Sequence, residues 1–143
     1  MRGATALHLA AVNGHVEAIK AWAELGVDKE AKNVNGQTAL HYAAGKGHVE
    51  AIKALAELGA DKDAKDVHGA TALHQAAHNG HVEAMELLVQ MGAEKDAKDA
   101  NGRTPLHWAA AMGHVEAMQL LVQLRTLGVR FGGSLALRAL ALS

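Results

Sequence analysis

Apolar and polar residues alternate in bursts too short for long helices and too regular for loops. Between Thr38 and Gly59 one burst, Ala39-Leu40 with Ala43-Ala44, is followed by a second, Val49, Ile52, Leu55 and Ala56. Spacings of three and four put each set on one helical face. The pattern predicts a first helix over about Ala39 to Lys46 and a second over about Val49 to Leu58. Thr38 can cap the first with its hydroxyl, and Gly47 suits the left-handed position that stops it. Pro105, after the equivalent Thr104, fits a first helical position. Glu50 and Lys53 are three apart and can pair weakly on the surface. Gly59 ends the second helix. The link from Ala60 to Val67 is charge-rich, and Asp66-Val67-His68-Gly69 has the Asp and Gly placement of a type I turn; Asn33 to Gly36 and Asp99 to Gly102 repeat it.

The whole pattern recurs every 33 residues. Thr-x-Leu-His stands at Thr5, Thr38, Thr71 and Thr104, without insertion or deletion. A constant period of this size marks a stacked repeat. The units run over 1–35, 36–68, 69–101 and 102–124, with an atypical extension over 125–143. Helices this short are marginal alone, so the units are expected to stack into one layered body. Met1 and Arg2 stand where a full first unit would carry its turn, so the first unit reads as truncated and without a polar cap.

The repeat is similar to the ankyrin-repeat family. The resemblance rests on Asp66-x-x-Gly69-x-Thr71-Ala72-Leu73-His74-x-Ala76-Ala77-x-x-Gly80-His81-x-Glu83, then Leu87-Leu88 and Gly92-Ala93, and recurs across residues 3–124. It implies an all-α solenoid of helix-turn-helix units with β-hairpin-like fingers. It also implies a concave groove lined by fingertips and first helices, used to bind other proteins, with no catalysis of its own. The resemblance gives the motif histidines a framework role, bonding within and between turns. Trp22 replaces the family leucine found at Leu55 and Leu88, and Ala23 and Ala56 replace a second. The indole is expected to fill volume left by small neighbours.

Composition narrows the alternatives. Half the residues are apolar and 20% charged, with a formal net charge of −1. No global field favours nucleic acid, and none is expected as partner. There is no cysteine, which excludes disulfides and thiolate chemistry and fits an intracellular, reducing compartment. No apolar run is long enough to span a bilayer. HExxH, GxxxxGK[ST] and GxSxG are absent, so an enzyme is not expected. Ten histidines raise the question of a metal, but eight are periodic repeat residues and do not converge. His74, His78 and His81 are the closest set, and His74 is committed to the framework. No metal or cofactor is expected. The Asp/Lys links read as a solvated face.

Positions that vary between units while the framework stays constant are the candidate partner-binding residues. At the fingertips they include Val34, Gln37, Val67, His68 and Arg103; on the first helices, Tyr42, Lys46, Gln75, His78, Trp108 and Met112. Tyr42 and Trp108 share the position just after the motif histidine, where Leu9 and Gln75 stand in the other units. Aromatic anchors dominate interface energetics, and two steps of about 10 Å set these two about 20 Å apart. The bland alternative is that both pack against the neighbouring first helix.

The extension breaks the pattern: Arg125 replaces the expected glycine. Arg125, Arg130 and Arg138 make residues 125–143 +3, whereas unit three, with five acids against two lysines, is −3. The tail is therefore expected to fold back toward unit three or meet another acidic neighbour. Ser134 can cap a short helix over Leu135 to Leu142. That helix would cover the last unit or contact a partner or membrane. Two functions follow: a recognition or scaffold module acting through the groove, or an architectural subunit of a larger assembly, contacting neighbours through its N-terminal end and Leu-rich tail.

Overall fold

The computed structural model describes residues 5–127. They form eight helices: α1 (Ala6–Val12), α2 (Val16–Glu24), α3 (Ala39–Lys46), α4 (Val49–Glu57), α5 (Ala72–His78), α6 (Val82–Gln90), α7 (Pro105–Ala111) and α8 (Val115–Leu127). Among the described residues there is no strand, and no helix is long and apolar enough to cross a membrane. The expected helix over Leu135 to Leu142 and the start of unit one at Met1 and Arg2 lie outside the described residues.

Each odd-numbered helix packs against the even-numbered helix that follows it. The odd helices form one row, α1 to α3 to α5 to α7, and the even helices a second. The core between the rows is built from small and medium side chains. Ala43, Ala44, Ala76 and Ala77 let the inner helices approach closely, while Ile19, Ile52, Met85, Leu55 and Leu88 fill the space toward the outer row. Trp22 is half-buried against this core, where Leu55, Leu88 and Leu121 are fully buried.

The helix boundaries follow from local chemistry. Thr38 Oγ1 accepts the His41 amide, and His41 Nδ1 accepts the Thr38 amide at 3.1 Å. This is a reciprocal capping box, with histidine at the place where glutamate usually closes it. Gly47 then turns the chain at φ 71°, a left-handed conformation that costs a glycine little. Leu58 serves as the C-cap of α4. Glu50 and Lys53 pair at 3.3 Å, an exposed contact worth less than about 1 kcal/mol.

The fingers are hairpin-like loops. In one, the Asp66 amide donates to the Ala70 carbonyl at 2.9 Å, and Gly69 closes the turn onto the Asp66 carbonyl at 3.0 Å. Asp66 Oδ1 also accepts the amides of His68 and Ala70, which explains an acceptor side chain at the start of each turn. One backbone bond ties each fingertip to the next: Val67 N–H to Asn35 C=O, and Ala100 N–H to His68 C=O. Lys32 and Lys65 lie exposed on the link face and also tie units together. Lys32 Nζ and Lys65 Nζ donate to the carbonyls of Lys65 and Lys98, one repeat on.

The last helix departs from its equivalents. With Arg125 in place of glycine, α8 runs on to Leu127. Arg125 Nε reaches Asp96 Oδ1 of the preceding finger at 3.2 Å. The rest of the basic tail lies outside the described residues.

Candidate protein-interaction face

The motif histidines tie the inner face together. His8, His41 and His74 are buried, and each Nδ1 accepts the amide of its own capping threonine. That leaves the proton on Nε2, which donates to a finger carbonyl 29 residues on: Gln37 at 2.7 Å, Ala70 at 2.9 Å and Arg103 at 2.9 Å. The tautomer is thus dictated by the capping bond. Burial pushes the His41 and His74 pKa values below 6.5, outweighing the opposing pull of the carbonyls of Ala70 and Arg103 and of nearby aspartates. With both ring nitrogens engaged, His74 is a framework residue.

The Gly-His motif forms a second cross-unit series. A Cβ on Gly14, Gly47 or Gly80 would stand within about 3 Å of the ring of His48, His81 or His114, the shortest distance being 2.7 Å at Gly47 and Gly80. His48 Nε2–H also donates to the Val12 carbonyl at 2.9 Å. Each glycine therefore leaves room for the next unit's imidazole.

On this frame sit the two aromatic candidates. Tyr42 and Trp108 are both half-buried. Each spends its polar tip on the start of its own finger, nine residues back. Asn33 Nδ2 donates to the Tyr42 hydroxyl, and Trp108 Nε1–H donates to Asp99 Oδ2 at 2.9 Å. Each ring also meets the motif histidine of the preceding unit edge-on: Tyr42 and His8 at 5.3 Å, Trp108 and His74 at 5.1 Å. His78 adds a second contact to Trp108 at 5.6 Å. The aromatics are therefore braced by the framework and partly open to solvent.

Asp99 shows the local electrostatics. Burial alone would raise its carboxyl pKa. The Arg103 amide, the Trp108 indole, the Asn101 amide and the Arg103 guanidinium together outweigh burial and hold it at about 2. Arg103 Nε lies 3.3 Å from Asp99 Oδ2, so this guanidinium is partly committed within its finger.

Two open depressions flank the aromatics. One, of about 520 Å³, lies between α3 and α5 and is lined by Gln37, Tyr42, Lys46 and Gln75 together with Gly45, Asn79 and His81. Asn79, exposed at its edge, donates to the Gly45 carbonyl at 2.9 Å. The other, of about 230 Å³, is bounded by His78, Arg103, His107, Trp108 and Met112. Val34, Val67 and His68 line neither; they are exposed at the fingertips. The sequence reading missed Asn33 and Asp99 as supports of the aromatics. Their regular nine-residue offset from Tyr42 and Trp108 was the available signal.

Two rows of short helices, joined by finger loops and stitched by histidine bonds at a constant 33-residue step, define a helical repeat solenoid. A family model described as ankyrin repeats (3 copies) matches residues 2–66 and 59–130. The chain belongs to the ankyrin-repeat family, whose repeats are generally protein–protein interaction modules and typically non-enzymatic. A comparison with curated proteins returned no match.

Proposed function

We propose that this chain is a recognition or scaffold module that binds a protein partner across its inner helices and fingertips, with Tyr42 and Trp108 as anchors. The observation that carries this reading is the bracing of both rings. Their polar tips and edges are held, so little side-chain freedom remains to be lost on binding. Their remaining faces open onto the two depressions. Val34 and Val67, 65% and 61% exposed, add an apolar edge at the fingertips. Lys46, Gln75, His78 and Met112 supply a mixed rim, as recognition surfaces with a few aromatic anchors commonly have. The spacing suits an extended segment that reaches both aromatics.

Crosslinking followed by mass spectrometry, on the chain in an extract of its native source, tests this. Crosslinks from an identified partner are expected at Lys46 and around the fingertips. Crosslinks confined to Lys20 and Lys53 of the outer helices would count against it.

A second reading, an architectural subunit of a larger assembly that contacts neighbours through its N-terminal end and basic Leu-rich tail, draws on the exposure of Leu25.

A further inference from the structure

Charge is segregated between the two rows of helices. Among the described residues, every glutamate of a helix lies on α2, α4, α6 or α8, and the remaining acids lie in the links and fingers. The inner helices α1, α3, α5 and α7 carry no carboxylate. Asp66 and Asp99 of the turns are buried, and each spends its Oδ1 on two backbone amides of its own finger. Lys46, by contrast, is an exposed cation in the last turn of α3. A chain with a formal net charge of −1 thus presents an inner face free of acids.

The depression of about 520 Å³ between α3 and α5 concentrates this asymmetry. It is interior to the stack, with unit one before it and unit four after it. Its polar groups are mostly donors. The Tyr42 hydroxyl accepts from Asn33 Nδ2, so its own proton is free to donate. Gln37 Oε1 accepts from the same Asn33 Nδ2 at 3.2 Å, which leaves the Gln37 Nε2 protons for a ligand. His81 adds a further donor. At the preceding junction His48 Nε2 donates to the Val12 carbonyl. The equivalent carbonyl here, that of Gly45, is taken by Asn79 Nδ2 instead. Among the described residues His81 Nε2 therefore has no carbonyl to meet, while its ring lines the depression.

We propose that this depression takes an acidic, extended segment of the protein partner, with an Asp or Glu carboxylate seated among Lys46, Tyr42, Gln37 and His81. A carboxylate accepts only, and with a lysine among its donors its bonds are charge-assisted. A basic segment would meet Lys46 with no carboxylate to offset it, and a purely apolar one would leave the donors unpaired. This rests on the reading of the inner face as the recognition surface and names the partner's chemistry there.

The test is an amide NMR titration of the full 143-residue chain with a soluble peptide of alternating glutamate and valine, valine favouring the extended backbone. The controls are the same peptide with glutamine for glutamate and a single-stranded oligonucleotide. Shifts from the glutamate peptide are expected on α3, α5 and the fingers between them, with a Kd that rises with added salt. The glutamine peptide should bind about tenfold more weakly or worse, and Lys46→Glu should weaken the glutamate peptide about tenfold or more. Tyr42→Phe should weaken it about threefold. No binding of the glutamate peptide, equal binding of the glutamine peptide, shifts confined to the outer helices, or tighter binding of the oligonucleotide at the same residues would each overturn the proposal. None of these results decides the inner-face reading itself, which stands or falls on where the native partner crosslinks.

Discussion

His41 donates its Nε2–H to the carbonyl of Ala70, 29 residues along the chain, at 2.9 Å. The same ring accepts the amide of Thr38 on its other nitrogen. One imidazole therefore starts a helix and joins two units. Its replacement by alanine leaves the buried Thr38 amide without a partner, takes one of the two donors from the Ala70 carbonyl, which keeps the Asp66 amide, and opens a cavity. The expected loss for His41→Ala is about 2–4 kcal/mol, measured by urea unfolding. His107→Ala, at an exposed ring that meets no finger carbonyl among the described residues, should cost about 1 kcal/mol or less.

Stability should fall in acid. Burial pushes the His41 and His74 pKa values below 6.5, so the unfolded chain binds more protons in the window just below that value. Unfolding free energy is then fully present above pH 6.5 and is lost as pH falls from there through the folded values. Asp99, held at about 2 against 3.8, adds a second loss as pH falls below about 3.8. Urea midpoints from about pH 8 to about pH 2 read both windows. His41→Gln should shrink the upper one and leave the part that His74 contributes.

The glycines separate backbone cost from stacking cost. Gly47 and Gly113 have nearly the same φ, 71° and 73°. A Cβ at Gly47 would lie 2.7 Å from His81 Nδ1, whereas one at Gly113 would meet nothing within 4 Å. Gly113→Ala should therefore cost about 1 kcal/mol, from the left-handed conformation alone. Gly47→Ala should cost about 2–4 kcal/mol, because the imidazole must also move. Thermal or urea unfolding of the two variants gives the difference directly.

Trp108→Phe keeps a ring against His74 and removes the donor to Asp99. A loss of about 1.5–3 kcal/mol is expected, as for a hydrogen bond to a charged group. The Asp99 carboxyl should also titrate higher than its present value of about 2, which carbon-detected NMR can follow. An unchanged Asp99 titration would remove the indole from the account.

Much of this fold was legible because the repeat supplies four readings of each position. The helix over Ala39 to Lys46 coincides with α3, and the left-handed stop at Gly47 and the capping by Thr38 are both present. The pattern of one unit also showed Glu50 beside Lys53. What one unit could not show is what crosses between units. The Lys65 bond to the Lys98 carbonyl and the room that Gly47 leaves for His81 depend on how neighbours stack. α8 continues to Leu127 because Arg125 cannot take the left-handed turn as cheaply as the glycine it replaces. The candidate binding positions were found by variation alone. The support of Tyr42 by Asn33 required the finger to fold back over the inner helix.

We propose that recognition lies beside the histidine framework, at Tyr42, Trp108 and their rims. The most direct measurement is the affinity of the crosslinked partner for Lys46→Glu combined with Met112→Glu, then for Tyr42→Ala combined with Trp108→Ala, each checked for fold by circular dichroism. Lys46 and Met112 are exposed, so the first pair should leave stability nearly unchanged. Kd is expected to rise about tenfold or more with the first pair and about a hundredfold with the second, roughly 1.4 and 2.7 kcal/mol. An unchanged Kd for both pairs, in folded protein, would contradict it.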